Sequence, residues 1–145
     1  MYSIGQVSEM FYLPVSTIRY YDREGLLPAM ARRNGKRVFG EREIEALRVI
    51  ECLKASGLEI RDIRQFMEWT TEGASTYAQR KALFEARRAA VEADMAALRK
   101  TLAMLRYKCW YYETALAEGG EDRIRAMLPD HLPPEVQALY DQAHR

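Results

Sequence analysis

The chain has 145 residues, of which 48% are hydrophobic and 30% charged, with only eight glycines and five prolines. This composition is typical of an ordered, helix-rich protein rather than a disordered one. No run approaches the roughly 18 uncharged apolar residues that span a bilayer, and the N-terminus lacks a secretory signal, so we expect a cytoplasmic protein with no membrane association. Cys52 and Cys109 are too few for a disulfide framework and are expected to be free thiols.

Positive charge is concentrated near the N-terminus, although the formal net charge is only +1. The first 40 residues carry six Lys/Arg against three Asp/Glu, whereas residues 41–70 carry five against seven. An excess of cations confined to one segment points to a polyanionic partner for that segment.

Two short helices are predicted first. Ser3 and Gln6 fit a capping box, in which each side chain satisfies a free backbone N–H at a helix start. This helix should run to about Phe11. Pro14 suits the first turn of a second helix, which should end at Gly25.

A basic β-ribbon is predicted between Pro28 and Phe39. Its centre is Asn34-Gly35, the strongest short signal for a two-residue hairpin turn. A helix, a short turn, a second helix and then a basic hairpin form the arrangement of a winged helix-turn-helix. In that arrangement one helix enters the major groove of DNA and the wing holds the phosphate backbone.

Two further helices complete the predicted head domain, residues 1–73. One runs from Glu41 to Ser56 and is terminated by Gly57, and the next begins near Glu59. Each carries an apolar stripe at helical spacing. The stripe positions are Ile44, Leu47, Ile50 and Leu53 on the first, and Ile60, Ile63, Phe66 and Met67 on the second.

Residues 74–118 are predicted to form a long dimerisation helix. Apolar residues recur every seven positions from Tyr77 to Tyr112, and a companion series four residues later runs from Met95 to Leu116, which is the pattern of a coiled coil. Lys81 and Arg88 occupy the first companion positions, so the N-terminal part of the seam is weaker or contacts the head domain instead. A helix of this length extends about 60 Å at 1.5 Å per residue, and a small domain cannot cover it alone. The predicted dimer seam comprises Val91, Met95, Leu98, Leu102, Leu105, Cys109, Tyr112 and Leu116.

Residues 119–145 are predicted to be a C-terminal tail that begins at Gly119-Gly120. A possible short helix passes through Val136, Leu139 and Tyr140. Just before the tail, Trp110-Tyr111-Tyr112 could stack on an aromatic ligand, but we expect these rings to pack on the head of the partner subunit.

Candidate DNA contacts lie on the second helix and the wing. Arg19 can pair with a phosphate or a guanine edge, and the hydroxyl groups of Thr17, Tyr20 and Tyr21 can donate hydrogen bonds to phosphate oxygens. The alternative is that Tyr20 or Tyr21 is a core aromatic and that the wing cations are a solvated edge. The wing cations are Arg32, Arg33, Lys36 and Arg37.

The stretch VSTIRYYDREGLLP, residues 15–28, resembles the second-helix signature of the MerR family of transcription regulators. The resemblance includes Arg19-Tyr20-Tyr21 and the Gly-Leu-Leu-Pro exit, and it extends over roughly residues 3–70. It departs from the family pattern at Tyr12, where a turn glycine is usual, and at Lys36 and Phe39, where wing tyrosines are common.

This resemblance implies a mainly α fold in which the long helices form an antiparallel coiled-coil homodimer. Such a dimer binds a pseudo-palindrome in double-stranded promoter DNA whose spacer is over-long. On activation it bends and untwists the spacer so that RNA polymerase can engage the promoter, a readout carried largely by deformation of the DNA.

Cys52 is the candidate sensor thiol. Glu51-Cys52-Leu53-Lys54 with Gly57-Leu58 resembles the third helix of the MerR subgroup that responds to aldehydes and other electrophiles, and the subgroup's cysteine matches Cys52. On a helical projection Cys52 lies opposite the apolar stripe, and Arg48 one turn earlier would favour the reactive thiolate. Glu45 and Glu51 would oppose it, and a lone cysteine is more often a packing residue. Cys109 sits at a coiled-coil core position and is expected to pack.

We expect no catalytic residue, metal or cofactor. The two cysteines and the distant His131 and His144 make a poor metal set, and no histidine lies near either thiol in the sequence. Two alternatives to an electrophile sensor remain open. One is a regulator that binds a small apolar molecule between tail and coil, and the other is an architectural DNA-binding protein without an inducer.

Overall fold

The structure is a computed structural model that describes residues 1–28, 32–33 and 36–145. It is mainly α, as predicted. The helices are α1 (Ile4–Phe11), α2 (Val15–Arg23), α3 (Glu41–Ala55), α4 (Ile60–Glu72), α5 (Tyr77–Glu118), α6 (Asp122–Met127) and α7 (Pro134–His144), with a 3-10 turn at Ala74–Thr76. Two strands, β1 (Arg32–Arg33) and β2 (Lys36–Arg37), form the wing. The chain divides into two compact units, Met1–Arg87 and Arg88–Arg145.

The predicted start of the head is confirmed. Ser3 Oγ accepts a hydrogen bond from the Gln6 backbone N–H at 3.2 Å, and the Gln6 side chain accepts one from the Ser3 N–H at 2.9 Å, which completes the capping box. Tyr12 ends α1 in the left-handed conformation, with a φ of 53°. The second helix begins after Pro14 and ends at Arg23, two residues before Gly25, whose φ is +77°.

The wing is an antiparallel pair in which Arg33 lies opposite Lys36. The predicted turn at Asn34-Gly35 lies outside the described residues. An isolated bridge joins Tyr2 to Phe39, with two N–O distances of 2.8 Å, and so attaches the N-terminus to the base of the wing.

One hydrophobic core holds the head together. The stripe predicted on α3 is buried in full, and Ile63 of α4 is buried with it, while Phe66 and Met67 pack at its edge. Val7 of α1 and Ile18 of α2 complete the centre of this core with no exposed surface. Packing within this unit continues past residue 73, because the Phe84 ring lies against Phe66 at 5.3 Å between ring centroids. The boundary at residue 73 stays a prediction.

A second core lies in the unit formed by residues 88–145. The tail contains two helices, α6 as well as the predicted α7, and both pack on the end of α5. The prediction that the rings of Trp110, Tyr111 and Tyr112 pack on the partner's head is wrong for Tyr111, which packs with apolar tail residues of the same chain, and stays a prediction for the half-buried Trp110 and the exposed Tyr112. The buried members of this core are Tyr107, Tyr111, Ile124, Leu132 and Val136.

Within the described residues, no helix has the length and apolar character needed to cross a membrane.

Candidate DNA interface

The two faces of α2 differ in burial. Ile18 and Tyr21 point into the head core, whereas Arg19 and Tyr20 are exposed and Thr17 is half-buried at the border. Ser16 and Arg23 share the exposed face, since residues three and four apart lie on one side of a helix. The sequence analysis missed these two positions, although their spacing from Arg19 and Tyr20 carried the signal.

Tyr21 requires a correction. The side chain is 1% exposed, and its hydroxyl donates a hydrogen bond to Glu51 Oε1 at 2.7 Å and accepts one from Lys54 Nζ at 2.6 Å. The pKa of the Tyr21 hydroxyl group is raised well above its ordinary value, mainly because the group is buried and secondly because it is hydrogen-bonded to Glu51. A phosphate contact through Tyr21 is therefore excluded, and the ring belongs to the core.

A cationic cleft of about 700 Å³ lies where α1, α2 and the wing meet. Among the described residues, four basic side chains and one carboxylate border the cleft, so its electrostatic potential suits a polyanion. The lining residues are Ser3, Ile4, Arg19, Asp22, Arg23, Lys36 and Arg37.

The wing cations are placed differently from one another. Lys36 is exposed at the cleft, whereas Arg37 is half-buried and forms an ion pair with Asp22 of α2. Arg37 thus fastens the wing to the second helix in addition to bordering the cleft. The side chains of Arg32 and Arg33 lie outside the described part of the structure.

Cys52 is exposed on the outer surface of α3, as the helical projection predicted. Arg48, the cation expected to favour its thiolate, donates a hydrogen bond to Glu45 at 3.2 Å. Glu51, which precedes the cysteine, accepts a hydrogen bond from the Tyr21 hydroxyl group. Among the described residues, no group of three or more His, Cys, Asp or Glu side chains is arranged to hold a metal ion.

The predicted dimer seam forms one continuous exposed apolar face on α5. Its aliphatic and aromatic members expose between 36% and 85% of their surface, and Cys109 is also exposed. Tyr107 and Tyr111, the buried α5 residues that pack with the tail, lie on roughly the opposite side of the helix. The tail therefore leaves the seam uncovered.

Comparison with known proteins gives a consistent result. Residues 2–69 match the family model "MerR HTH family regulatory protein", and residues 44–107 match "MerR, DNA binding". An uncharacterized HTH-type transcriptional regulator of Haemophilus influenzae is 35% identical over 119 residues, which span 81% of this chain and 88% of that protein. The regulator AdhR of Bacillus subtilis is 36% identical over 80 residues, 54% of this chain and 57% of AdhR.

A solved structure matches in sequence and in fold. It is that of HiNmlR, described as a MerR family regulator lacking the sensor domain and bound to promoter DNA. The match is 34% identical with a TM-score of 0.65 and covers 84% of this chain and 98% of HiNmlR. From its winged head, its long helix and these relatives, the chain is a member of the MerR family of DNA-binding transcription regulators.

Proposed function

We propose that the chain works as a homodimer that binds promoter DNA through two winged heads. The bound dimer bends and untwists an over-long promoter spacer so that RNA polymerase can engage the promoter. The cationic cleft between α2 and the wing is the observation that carries this proposal, because it brings together cations from elements that the sequence separates. HiNmlR, a relative that the chain spans almost completely, was solved on promoter DNA.

The DNA contacts follow from the exposed face of α2. Arg19 and Arg23 flank the cleft from the helix and Lys36 borders it from the wing, so the phosphate backbone is held from two directions. When α2 enters the major groove, Arg19 pairs with a phosphate or a guanine edge and the Tyr20 hydroxyl group donates to a phosphate oxygen, and the exposure of both residues supports this assignment. Thr17, at the border of this face, adds a hydroxyl group. Arg32 and Arg33 are kept as proposed phosphate contacts on the basis of their positions in the sequence alone.

The dimer is built by the exposed seam of α5. A continuous apolar face on a soluble helix is stabilised by a matching face, and a second copy supplies one through an antiparallel coiled coil. The tail covers the opposite side of α5, so it does not compete for this surface.

Binding is tested with Arg19→Ala and the control Arg61→Ala, which removes another exposed cation, from α4. Within the described residues, Arg61 forms ion pairs at the surface with Glu59 and Asp62. The probe is a duplex selected by the wild-type protein from random sequences. Arg19→Ala should abolish or strongly weaken binding and reduce the steepness of its salt dependence, whereas Arg61→Ala should leave both near wild type. Equal effects of the two variants would refute the assignment of α2.

The promoter mechanism is tested by transcription in vitro from templates whose spacers differ only in length. Activation confined to the long-spacer template supports the proposal. Bending of both templates without selective activation would instead identify an architectural DNA-binding protein.

For the signal, we propose that electrophiles such as aldehydes react with Cys52. The exposed Sγ on the outer surface of α3 supports access by a reagent. Cys109, which is exposed in the single chain but belongs to the proposed dimer seam, is the second thiol and serves as the control. Cys52→Ser should retain DNA binding and lose the electrophile response in the transcription assay, whereas Cys109→Ser should keep the response. A Cys52→Ser variant that still responds would refute this assignment.

A further inference from the structure

The last turn of α3, with the glycine that follows it, contacts two other helices through polar groups. Glu51 and Lys54 face the recognition helix α2, and the carbonyl group of Ser56 faces α5. These contacts join positions about 30 residues apart in sequence, and they occur within the compact unit Met1–Arg87.

On the α2 side, the Tyr21 hydroxyl group lies between a carboxylate and an ammonium group. It donates to Glu51 at 2.7 Å and accepts from Lys54 at 2.6 Å, and Lys54 Nζ also lies 5.2 Å from the centre of the Tyr21 ring. Hydrogen bonds to charged groups are stronger than neutral ones, and the buried ring restricts where the hydroxyl can be. The position of α2 is thereby fixed relative to the end of α3, one residue from Tyr20 and two from Arg19.

On the α5 side, Arg87 Nε donates to the Ser56 carbonyl at 2.6 Å. This bond satisfies a free carbonyl at the C-terminus of α3, where a cation is also favoured by the helix dipole. The guanidinium group covers Gly57 so closely that a Cβ there would lie 2.4 Å from Arg87 Nη2. Gly57 has a φ of +90° and leaves this space open.

We infer that the end of α3 is a link that positions α2, the proposed recognition helix, relative to the first part of α5, residues 77–87. A displacement of α5 at Arg87 moves Ser56 and Gly57, and one helical turn away it moves Glu51 and Lys54, which hold Tyr21. Tyr21, Glu51, Lys54 and Arg87 are then positioning residues for DNA recognition, although none of them lines the cationic cleft. The inference rests on the proposed mode of DNA binding and is independent of the inducer.

The experiment is a double-mutant cycle on Tyr21→Phe and Arg87→Gln, with affinity for the selected duplex and for a scrambled duplex measured for each protein. Tyr21→Phe keeps the buried ring and removes only the hydroxyl group. Each single variant should lower affinity for the selected duplex by about ten-fold, the effect of losing one charged hydrogen bond. If both side chains act through one link, the affinity of the double variant for the selected duplex should fall by about ten- to twenty-fold. If they act independently, the two losses of affinity should multiply to about a hundred-fold.

Two further readouts separate positioning from general destabilisation. Affinity for the scrambled duplex and the salt dependence of binding should stay near wild type, because no phosphate-binding cation is removed. Arg61→Gln removes a surface charge in the same head and should change neither affinity. Arg87→Met removes the donor group and keeps a long side chain, so it allows the cycle to be measured if Arg87→Gln does not fold.

Three outcomes would each overturn the inference. The losses of affinity could multiply in the double variant, the single variants could bind the selected duplex like wild type, or Arg87→Gln and Arg61→Gln could lose affinity equally. If the wild-type protein selects no duplex, the proposed DNA binding fails instead, and the two failures are thus distinguishable.

Discussion

Replacement of Leu98 by alanine tests the dimer seam most directly. The Leu98 side chain is 68% exposed in the single chain, and in the proposed coiled coil it becomes buried. Leu98→Ala removes three carbon atoms, each worth about 0.8 kcal/mol on full burial, so about 1.5 kcal/mol is lost after correction for the surface already covered. A two-fold symmetric interface contains the change twice, which gives about 3 kcal/mol per dimer. The dimer dissociation constant should therefore rise about 100-fold.

Sedimentation equilibrium over a range of protein concentrations measures this constant, and circular dichroism checks that the helix is retained. Alanine has a high helix propensity, so the helix itself should not be weakened. Lys100→Ala, on the side of α5 away from the seam, is the control and should leave the constant unchanged. A wild-type protein that stays monomeric at micromolar concentration, or equal effects of the two variants, would refute the assignment of the seam.

Three further predictions concern stability. Tyr12, 93% exposed with a φ of 53°, is strained in a way that glycine is not, so Tyr12→Gly should raise the free energy of unfolding by about 0.5–1 kcal/mol in urea denaturation. Gly57→Ala should lower it by about 2–3 kcal/mol, since it adds strain at a φ of +90° and displaces Arg87 from Ser56. The hydrogen bond from Arg123 holds the pKa of the Glu118 carboxyl group below its ordinary value. The ionised carboxylate therefore stabilises the folded protein when the pH is above that ordinary value, and this stabilisation is lost as the pH falls and the carboxylate is protonated. Wild type should therefore exceed Glu118→Gln in thermal stability at neutral pH, and the difference should shrink below about pH 4.5.

Each of these predictions has a matched control in the chain. Glu9→Gly introduces glycine at an exposed interior position of α1 and should be destabilising, opposite in sign to Tyr12→Gly. Gly119→Ala adds strain at a φ of +73° with no atom within 4 Å of the new Cβ, so it should cost only about 1 kcal/mol. Glu113→Gln removes an exposed carboxylate of α5 and should show no loss at neutral pH. If a test variant and its control change the stability of the protein in the same way, the physical reasoning behind that prediction is refuted.

The features that could be predicted from the sequence depend on chemistry within a few residues. The capping box needs only Ser3 and Gln6, and the apolar stripes follow from helical period, so both are confirmed in the structure. The seam residues are likewise exposed along one face, as a heptad pattern requires of an uncovered helix.

The features that were missed depend on contacts between distant segments. Tyr20 and Tyr21 are chemically alike, and only the packing of α2 on α3 determines that Tyr21 is the buried one. Ile18, three residues earlier and also buried, indicates the same side of the helix. The contact of Arg87 with Ser56 spans 31 residues and has no local pattern, so the sequence could not reveal it.

The tail affects which surface α5 offers to a partner. The last turns of α5 carry two apolar stripes, one with Tyr107 and Tyr111 and one with Leu105 and Tyr112. A helix that is apolar on two sides can associate through either of them, and this gives alternative registers. The tail fills the first stripe within the chain, and the Tyr111 hydroxyl group fixes it by donating to Glu121 at 2.7 Å. One seam then remains for the proposed dimer, and we propose that the tail in this way contributes to the specificity of pairing, although it forms no part of the seam.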